Sequence, residues 1–113
     1  MHEMAIAEGI LDIVLDYATR NQATKVTKIQ LLLGEMSGVE TDALQFCFEA
    51  LSKKTLAEGT NLTLHRVPLM GHCKDCDVTT KIERYRFLCP HCDSANMEIV
   101  SGRELQVEFL EVD

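Results

Sequence analysis

The hydrophobic pattern of the 113-residue chain predicts an α+β fold, in which a three-stranded sheet carries two helices on its hydrophobic face and a small domain is inserted. Three observations predict this fold. Two stretches repeat apolar residues at three- and four-residue steps, as helices do. Three other stretches alternate apolar and polar residues, as half-buried strands do. A cysteine-rich segment of different composition lies between the second and third of these strands.

The first helix is predicted over residues 4–20, MAIAEGILDIVLDYATR. Asp12, Asp16 and Arg20 fall on one side of this helix, which is therefore its predicted solvent side. The predicted buried side carries apolar residues at helical spacing, namely Ile6, Ile10, Ile13 with Val14, and Tyr17.

The first strand is predicted within residues 25–36, KVTKIQLLLGEM, and is expected to end at Gly34. Lys28 and Gln30 alternate with apolar residues, so one face of the strand is polar and the other is predicted to be buried. The residues of the buried face are Ile29, Leu31 and Leu33.

The second helix is predicted over residues 37–55, SGVETDALQFCFEALSKKT. Ser37 and Glu40 match a capping box, in which each side chain accepts a hydrogen bond from the backbone of the other residue. Cys47 shares one apolar stripe with neighbouring leucine and phenylalanine residues, so it is expected to be a buried and unreactive thiol. The stripe consists of Leu44, Cys47, Phe48 and Leu51.

Two further strands are predicted over residues 61–67, NLTLHRV, and 103–113, RELQVEFLEVD. The alternation of the last strand changes phase at Leu110, which predicts a bulge or a frayed edge. The last strand has no partner nearby in sequence. We therefore expect it to pair with the strand at 61–67, which makes the cysteine segment an insertion between two sheet strands.

This arrangement predicts two domains, an α/β domain of residues 1–70 and 102–113 and an inserted domain of residues 71–101. The inserted segment contains CKDC at 73–76 and CPHC at 89–92, separated by twelve residues. Each pair can form a tight turn that directs two thiolates to one point, and two such turns satisfy a tetrahedral ion. We predict a structural zinc in a zinc-ribbon-like domain, held by Cys73, Cys76, Cys89 and Cys92, although iron can occupy the same ligands.

Two other interpretations of the cysteine segment are a nucleic-acid-binding or other interaction module and a thiol–disulfide enzyme. The chain has a net charge of −7, and residues 71–101 carry four Lys/Arg against five Asp/Glu, which disfavours a nucleic-acid partner. A thioredoxin-like motif needs one CxxC at a strand-to-helix turn, and neither pair is predicted there.

The opening residues lack the basic region of a signal peptide, and the longest apolar runs are too short to span a bilayer. We therefore expect a cytoplasmic protein without membrane contacts. In a reducing compartment, paired cysteines indicate a metal site sooner than disulfides.

The first three residues, Met1, His2 and Glu3, form a second candidate metal site. The large residue at position 2 is expected to keep the initiator methionine in place, with a free amine. The Met1 amine, the His2 backbone nitrogen and His2 Nδ1 then form adjacent chelate rings around one ion, and the Glu3 backbone nitrogen and carboxylate are next in reach. Such nitrogen ligands favour Ni(II) or Cu(II) in planar surroundings.

Four features of the chain occur together in one known family: MHE at 1–3, LGEMSGVE at 33–40, FCFEAL at 46–51, and the two cysteine pairs. In the order and spacing of these motifs the chain resembles the hydrogenase maturation nickel-insertion family, HypA/HybF, over essentially its whole length.

The resemblance implies a nickel metallochaperone, not an enzyme, that carries Ni(II) as transferable cargo. It implies that His2 is the essential nickel ligand, that Met1 and Glu3 contribute backbone nitrogens, and that the four paired cysteines hold zinc. The implied partners are a nickel-binding GTPase of the maturation system, the precursor of the [NiFe]-hydrogenase large subunit and, in some organisms, urease maturation proteins.

Overall fold

A computed structural model describes residues 2–113 and has two helices and two three-stranded sheets. The strand orders of the sheets are β2-β1-β6 and β4-β3-β5. This confirms the predicted fold class. Within the described residues, no helix is both long and apolar enough to cross a membrane. The elements are α1 (Glu3–Arg20), β1 (Val26–Gly34), a short 3-10 helix (Glu35–Ser37), α2 (Thr41–Ser52), β2 (Asn61–Val67), β3 (Met70–Cys73), β4 (Thr79–Lys81), β5 (Met97–Ser101) and β6 (Leu105–Val112).

The buried side of α1 differs from the predicted one. Ile13 and Tyr17 are 60% and 54% exposed, so the prediction that they are buried is wrong. Apolar residues make up more than half of this helix, so its periodicity alone did not decide which apolar side is buried. The buried residues of α1 are Ala7, Ile10, Leu11, Val14 and Ala18.

Strand β1 lies at the centre of the first sheet, and Ile29, Leu31 and Leu33 are buried as predicted. The prediction that the last strand pairs with the strand at 61–67 is wrong, because β6 pairs with β1. The central position suits β1, which has the longest buried apolar pattern of the strands. A central strand has a hydrogen-bonded neighbour on each side and is therefore better shielded from solvent than an edge strand. The Asp113 N–H donates to the Lys25 carbonyl at 2.9 Å at one end of this pairing.

Helix α2 is shorter than predicted at both ends. Gly38 adopts φ +72°, which is not a helical conformation, so α2 cannot extend back through it. Ser37 therefore belongs to the preceding 3-10 helix and is not the cap of α2. The cap is Glu40, whose side chain accepts a hydrogen bond from the Asp42 N–H. At the other end, the helix ends at Ser52, because Lys53 adopts a non-helical ψ of 136° and Lys54 a φ of +65°.

The first of two compact units contains the chain up to Leu32, Gly38–His65 and Gln106–Asp113. Its core is formed by the buried sides of both helices and by β1. Val107 and Leu110 both pack against this core although they are three residues apart, so the alternation of β6 is interrupted as its phase shift predicts. Cys47 is half-buried against the same core, more exposed than predicted.

The second unit contains Leu33–Ser37 and Arg66–Leu105. In it, β3 pairs antiparallel with both β4 and β5. Its buried apolar side chains are Leu33, Leu69 and Ile82, together with Cys73 and Cys89. The domain bounds at residues 71 and 101, which are narrower than this unit, stay a prediction.

Candidate metal centres

Two loops of the second unit have the same backbone design. In the first, the Asp77 N–H donates to the Cys73 carbonyl at 2.8 Å, and in the second, the Asp93 N–H donates to the Cys89 carbonyl at 2.8 Å. Asp77 and Asp93 have φ of +61° and +60°, a conformation that Asp tolerates better than most residues. An Asp directly after each CxxC was therefore a sequence signal for these turns, and sequence reasoning missed it.

The two loops bring four thiols together. The Sγ atoms of the four cysteines of the two pairs all lie within 4.8 Å of one another. The Sγ atoms of Cys73 and Cys92 are 3.6 Å apart, and those of Cys76 and Cys89 are 3.5 Å apart. A tetrahedral zinc with sulfur ligands at about 2.3 Å requires sulfur–sulfur distances of about 3.8 Å, so the donor set fits one metal ion.

Both of these close sulfur–sulfur contacts run between the loops. A dithiol enzyme of the CxxC type would instead use the two sulfurs of one motif. Both distances are also far longer than the roughly 2.05 Å of a disulfide. The geometry is that of a closed four-thiolate metal site.

The protein gives the thiols of Cys73 and Cys76 unequal acidity. The backbone N–H of Cys76, with that of Asp75, lowers the pKa of Cys73 to about 7. A hydrogen bond with the Cys89 side chain, together with burial, raises the pKa of Cys76 to about 12. One thiolate therefore forms easily near neutral pH, whereas Cys76 must lose its proton as the metal binds, which makes metal affinity depend on pH.

Polar side chains tie the two loops to each other. The Ser94 hydroxyl donates to the Asp75 carboxylate, and Asn96 Nδ2 donates to the same carboxylate at 3.4 Å. These bonds lower the pKa of Asp75. The Lys74 N–H donates to the Asn96 carbonyl at 3.0 Å. Sequence reasoning missed this brace, because its members are about 20 residues apart and no local pattern connects them.

The histidines next to the cysteines have different surroundings. His72 contacts Thr79 Oγ1 through Nδ1 at 3.1 Å and Asp77 Oδ1 through Nε2 at 3.0 Å. Both ring nitrogens of His72 are therefore engaged away from the thiol cluster. His91 is exposed.

At the amino terminus, Met1 lies outside the described residues. His2 is the N-cap residue of α1, and its carbonyl accepts the Ile6 N–H at 3.1 Å, which starts the helix. The exposed His2 side chain makes no cap hydrogen bond. The imidazole is thus not committed to the fold.

Glu3 connects the start of α1 with the start of α2. Glu3 Oε2 accepts a hydrogen bond from the Glu40 backbone N–H at 3.0 Å. This bond is the largest influence that lowers the pKa of Glu3. The carboxylate therefore has a structural partner within the fold, which sequence reasoning did not anticipate because the two residues are 37 positions apart.

A family model described as hydrogenase/urease nickel incorporation, metallochaperone, hypA matches residues 1–112. The chain belongs to the HypA family. The family is described as metallochaperones for nickel incorporation, and the chain has the four-cysteine metal site described above.

Among HypA relatives, the hydrogenase maturation factor HypA of Geobacter metallireducens is 41% identical to this chain over 113 residues, with 100% of both chains covered. The factor of the same name from Azotobacter vinelandii is 37% identical over 113 residues, again with 100% of both chains covered. The solution structure of the nickel metallochaperone HypA from Helicobacter pylori matches with a TM-score of 0.71 and 25% identity, covering 99% of this chain and 97% of that one. A second solution structure, titled as HypA protein, matches with a TM-score of 0.75 and 25% identity, covering 99% and 96%.

Proposed function

We propose that this chain binds Ni(II) at its amino terminus and delivers it to the precursor of a [NiFe]-hydrogenase large subunit. The nickel ligands are the Met1 amine, the His2 backbone nitrogen and imidazole, and the Glu3 backbone nitrogen. Membership of the HypA family supports nickel as the metal and its incorporation into hydrogenase or urease as the process. The site is supported mainly by one observation: the His2 side chain at the start of α1 is exposed and makes no cap hydrogen bond.

The helix makes no use of the nitrogens that the nickel needs. The first helical hydrogen bond runs from the Ile6 N–H to the His2 carbonyl, so the N–H groups of His2 and Glu3 precede the helical ladder. Loss of the proton from either amide therefore breaks no helical hydrogen bond. The partial positive charge at a helix N-terminus also favours the negative charge of a deprotonated amide.

These nitrogens would leave one position in the coordination plane of the nickel ion unfilled. The amine, the His2 amide and the imidazole can occupy three positions of one plane, and the Glu3 amide cannot then complete the same plane. An open or axial position allows an acceptor protein to attach before the first ligands leave. This suits a protein that hands its cargo on instead of storing it.

For the second centre, we propose zinc held by Cys73, Cys76, Cys89 and Cys92. A zinc ion with four thiolates has no open position and contributes to folding, not to catalysis. Thiolate ligands also suit iron, so metal analysis of the purified protein must distinguish the two metals.

We further propose that delivery takes place in the cytoplasm and involves a nickel-binding GTPase, from which the chain receives Ni(II). The description of the family includes urease as well as hydrogenase, which extends the proposed acceptors to urease maturation proteins. Neither a membrane nor a nucleic acid has a part in this scheme.

The test of the nickel site is His2→Ala in the untagged protein, with His91→Ala as its matched control, since His91 is also exposed. We expect His2→Ala to abolish tight nickel binding in calorimetry and to leave the zinc content unchanged. His91→Ala should bind one nickel as the wild type does. A His2→Ala protein that still binds one nickel tightly would show that the site lies elsewhere.

Amine ligation and delivery need separate tests. A glycine placed before Met1 moves the amine away from the imidazole and should weaken nickel binding strongly. For delivery, nickel-loaded wild-type protein should transfer its metal to the purified apo large-subunit precursor when the GTPase and GTP are present. Transfer at the same rate from free nickel in buffer would contradict the role in delivery.

A further inference from the structure

The turn between β4 and the second cysteine loop has an unusual backbone. The Arg86 N–H donates to the Glu83 carbonyl at 3.0 Å, and the two residues between them, Arg84 and Tyr85, have φ of +55° and +56°. Positive φ at both central positions belongs to a type I′ turn, which normally contains Asn and Gly. Arginine and tyrosine adopt this conformation only when the surroundings enforce it.

The surroundings fix this turn from both sides. Ile82, just before it, is 2% exposed, and its N–H donates to the Leu69 carbonyl at 2.8 Å. After it, the ring of half-buried Phe87 lies 6.5 Å from the ring of Tyr85, between centroids. Cys89, two residues further on, is part of the thiol cluster. The residues on both sides of the turn are therefore held by the fold, and its tip is exposed.

The side chains at the tip are cationic and aromatic. Residues 81–86 carry three of the 11 lysines and arginines of a chain whose net charge is −7. Lys81, Arg84 and Arg86 are exposed, and no carboxylate of residues 2–113 lies within ion-pairing distance of them. By contrast, Lys74 of the same unit pairs with Glu98 at 3.1 Å. Tyr85 is 57% exposed.

Beside the turn is a groove of about 510 Å³. Leu88 and Pro90 line it together with Lys81 and Arg86, but two carboxylates, from Glu83 and Asp93, line it as well. Because two cationic and two acidic side chains line it, the groove has no net charge and favours uncharged side chains of a partner.

We propose that this turn, Lys81–Arg86, docks an acidic segment of a partner protein. Arg84 and Arg86 pair with carboxylates of the segment, and Tyr85 packs against its aliphatic side chains. Arginine and tyrosine are the residues that most often dominate protein–protein binding energies. A turn whose two ends are already held loses less entropy on binding than a free segment does. The proposal is independent of nickel binding at the amino terminus.

A nucleic acid would also be attracted to cations, but the charge of the rest of the chain separates the two classes of partner. Local cations act within a screening length of about 10 Å at ordinary salt. A short acidic segment meets only the turn, whereas a long polyphosphate also meets a protein with a net charge of −7. The observations therefore favour a protein segment.

The test uses the full-length zinc-loaded protein and a fluorescent peptide of alternating glutamate and leucine, with binding measured by fluorescence anisotropy. Arg84→Glu/Arg86→Glu should weaken binding about tenfold or more, since both contacts become repulsive. Lys25→Glu/Lys53→Glu is the matched control, because it changes the net charge equally at two exposed lysines of the first unit and should bind as the wild type does. Equal binding by both variants, or no binding by the wild type, would overturn the proposal.

Two additions keep the test decisive. If the reversed variant does not retain its zinc, Arg84→Gln/Arg86→Gln removes the charges more mildly and should still weaken binding. An oligodeoxythymidine of the same net charge as the peptide serves as the nucleic-acid probe. Tighter binding of this oligonucleotide than of the peptide would assign the turn to nucleic acid and overturn the protein partner.

Discussion

Glu3 combines two tasks in one residue. Its backbone nitrogen is a proposed nickel ligand, whereas its carboxylate accepts the Glu40 N–H at 3.0 Å. The carboxylate satisfies an N–H at the start of α2, where the helix has no acceptor of its own. The side chain therefore links the ligand segment to a second helix, and the two tasks can be separated by substitution.

We expect Glu3→Gln to lower stability at neutral pH and to keep nickel binding. The Glu40 N–H lowers the pKa of Glu3, so the folded protein stabilises the ionised carboxylate. This contribution is fully present above the pKa of a glutamate in the unfolded chain, about 4.3. It is lost as the pH falls through the lowered pKa of the folded protein.

The measurement is urea unfolding, followed by circular dichroism, of wild type and variant at pH 7 and at progressively lower pH. The difference between them should be largest above about pH 4.3 and should shrink as the pH falls through the lowered pKa of Glu3. Glu8→Gln, an exposed position on the same helix, should cost nothing at either pH. A stability difference that persists unchanged in acid would mean that the charge of Glu3 is not its source.

At the scale of elements, two glycines of the chain have opposite requirements. A Cβ added to Gly34, at the end of β1, would lie 2.1 Å from the Gly102 carbonyl oxygen. The atoms that the added Cβ would overlap belong to the backbone, so they cannot move aside as the end of a flexible side chain could. Gly9, within α1, has nothing within 4 Å of the same added atom. The strand end thus needs glycine and the helix does not.

Alanine should therefore act in opposite directions at these sites. We expect Gly34→Ala to destabilise the protein by about 1–3 kcal/mol through steric overlap. Gly9→Ala should stabilise it by about 0.5–1 kcal/mol, because glycine loses more backbone entropy than alanine in a helix. Chemical denaturation of both variants beside the wild type measures the two effects. Equal stability of Gly34→Ala and wild type would mean that the two strand ends can separate at little cost.

The sequence predicted the kinds of element better than their ends and partners. Periodicity identified both helices and the strand at 61–67, because it depends on residues a few positions apart. It placed the start of the second helix too early, since the capping-box pattern at Ser37 does not reveal that Gly38 turns at positive φ. It also gave β6 the wrong neighbour, because strand pairing depends on which strand buries most surface across the sheet.

At the scale of the whole molecule, the chain forms two compact units, and among residues 2–113 the large apolar core belongs to the first. The second unit depends on its thiol cluster and a few buried side chains such as Leu69 and Ile82. A bound structural zinc can contribute an apparent free energy on the order of 10–16 kcal/mol. Such a contribution exceeds what so few side chains can supply.

Removal of the metal should accordingly affect the two units differently. With a chelator, we expect amide hydrogens of residues 66–105 to lose protection from exchange, whereas those in α1 and α2 keep it. Cys76→Ser should reproduce this loss, and Cys47→Ser, outside the cluster, should not. Hydrogen exchange followed by mass spectrometry reports both units at once. Simultaneous loss of protection in α1 and α2 would indicate a single cooperative unit.

The sequence by itself determined the helices, the three strands of the first sheet and the four thiols, because helical periodicity, strand alternation and CxxC spacing are local properties. It did not predict β3, β4 or β5, which are short and have no clear alternation. Only the tertiary structure decided what distant residues do to each other. It paired β6 with β1, bonded Glu3 to Glu40, and braced the cysteine loops through Asp75. These contacts join residues that are tens of positions apart, and their free energy depends on which surfaces the folded chain buries together.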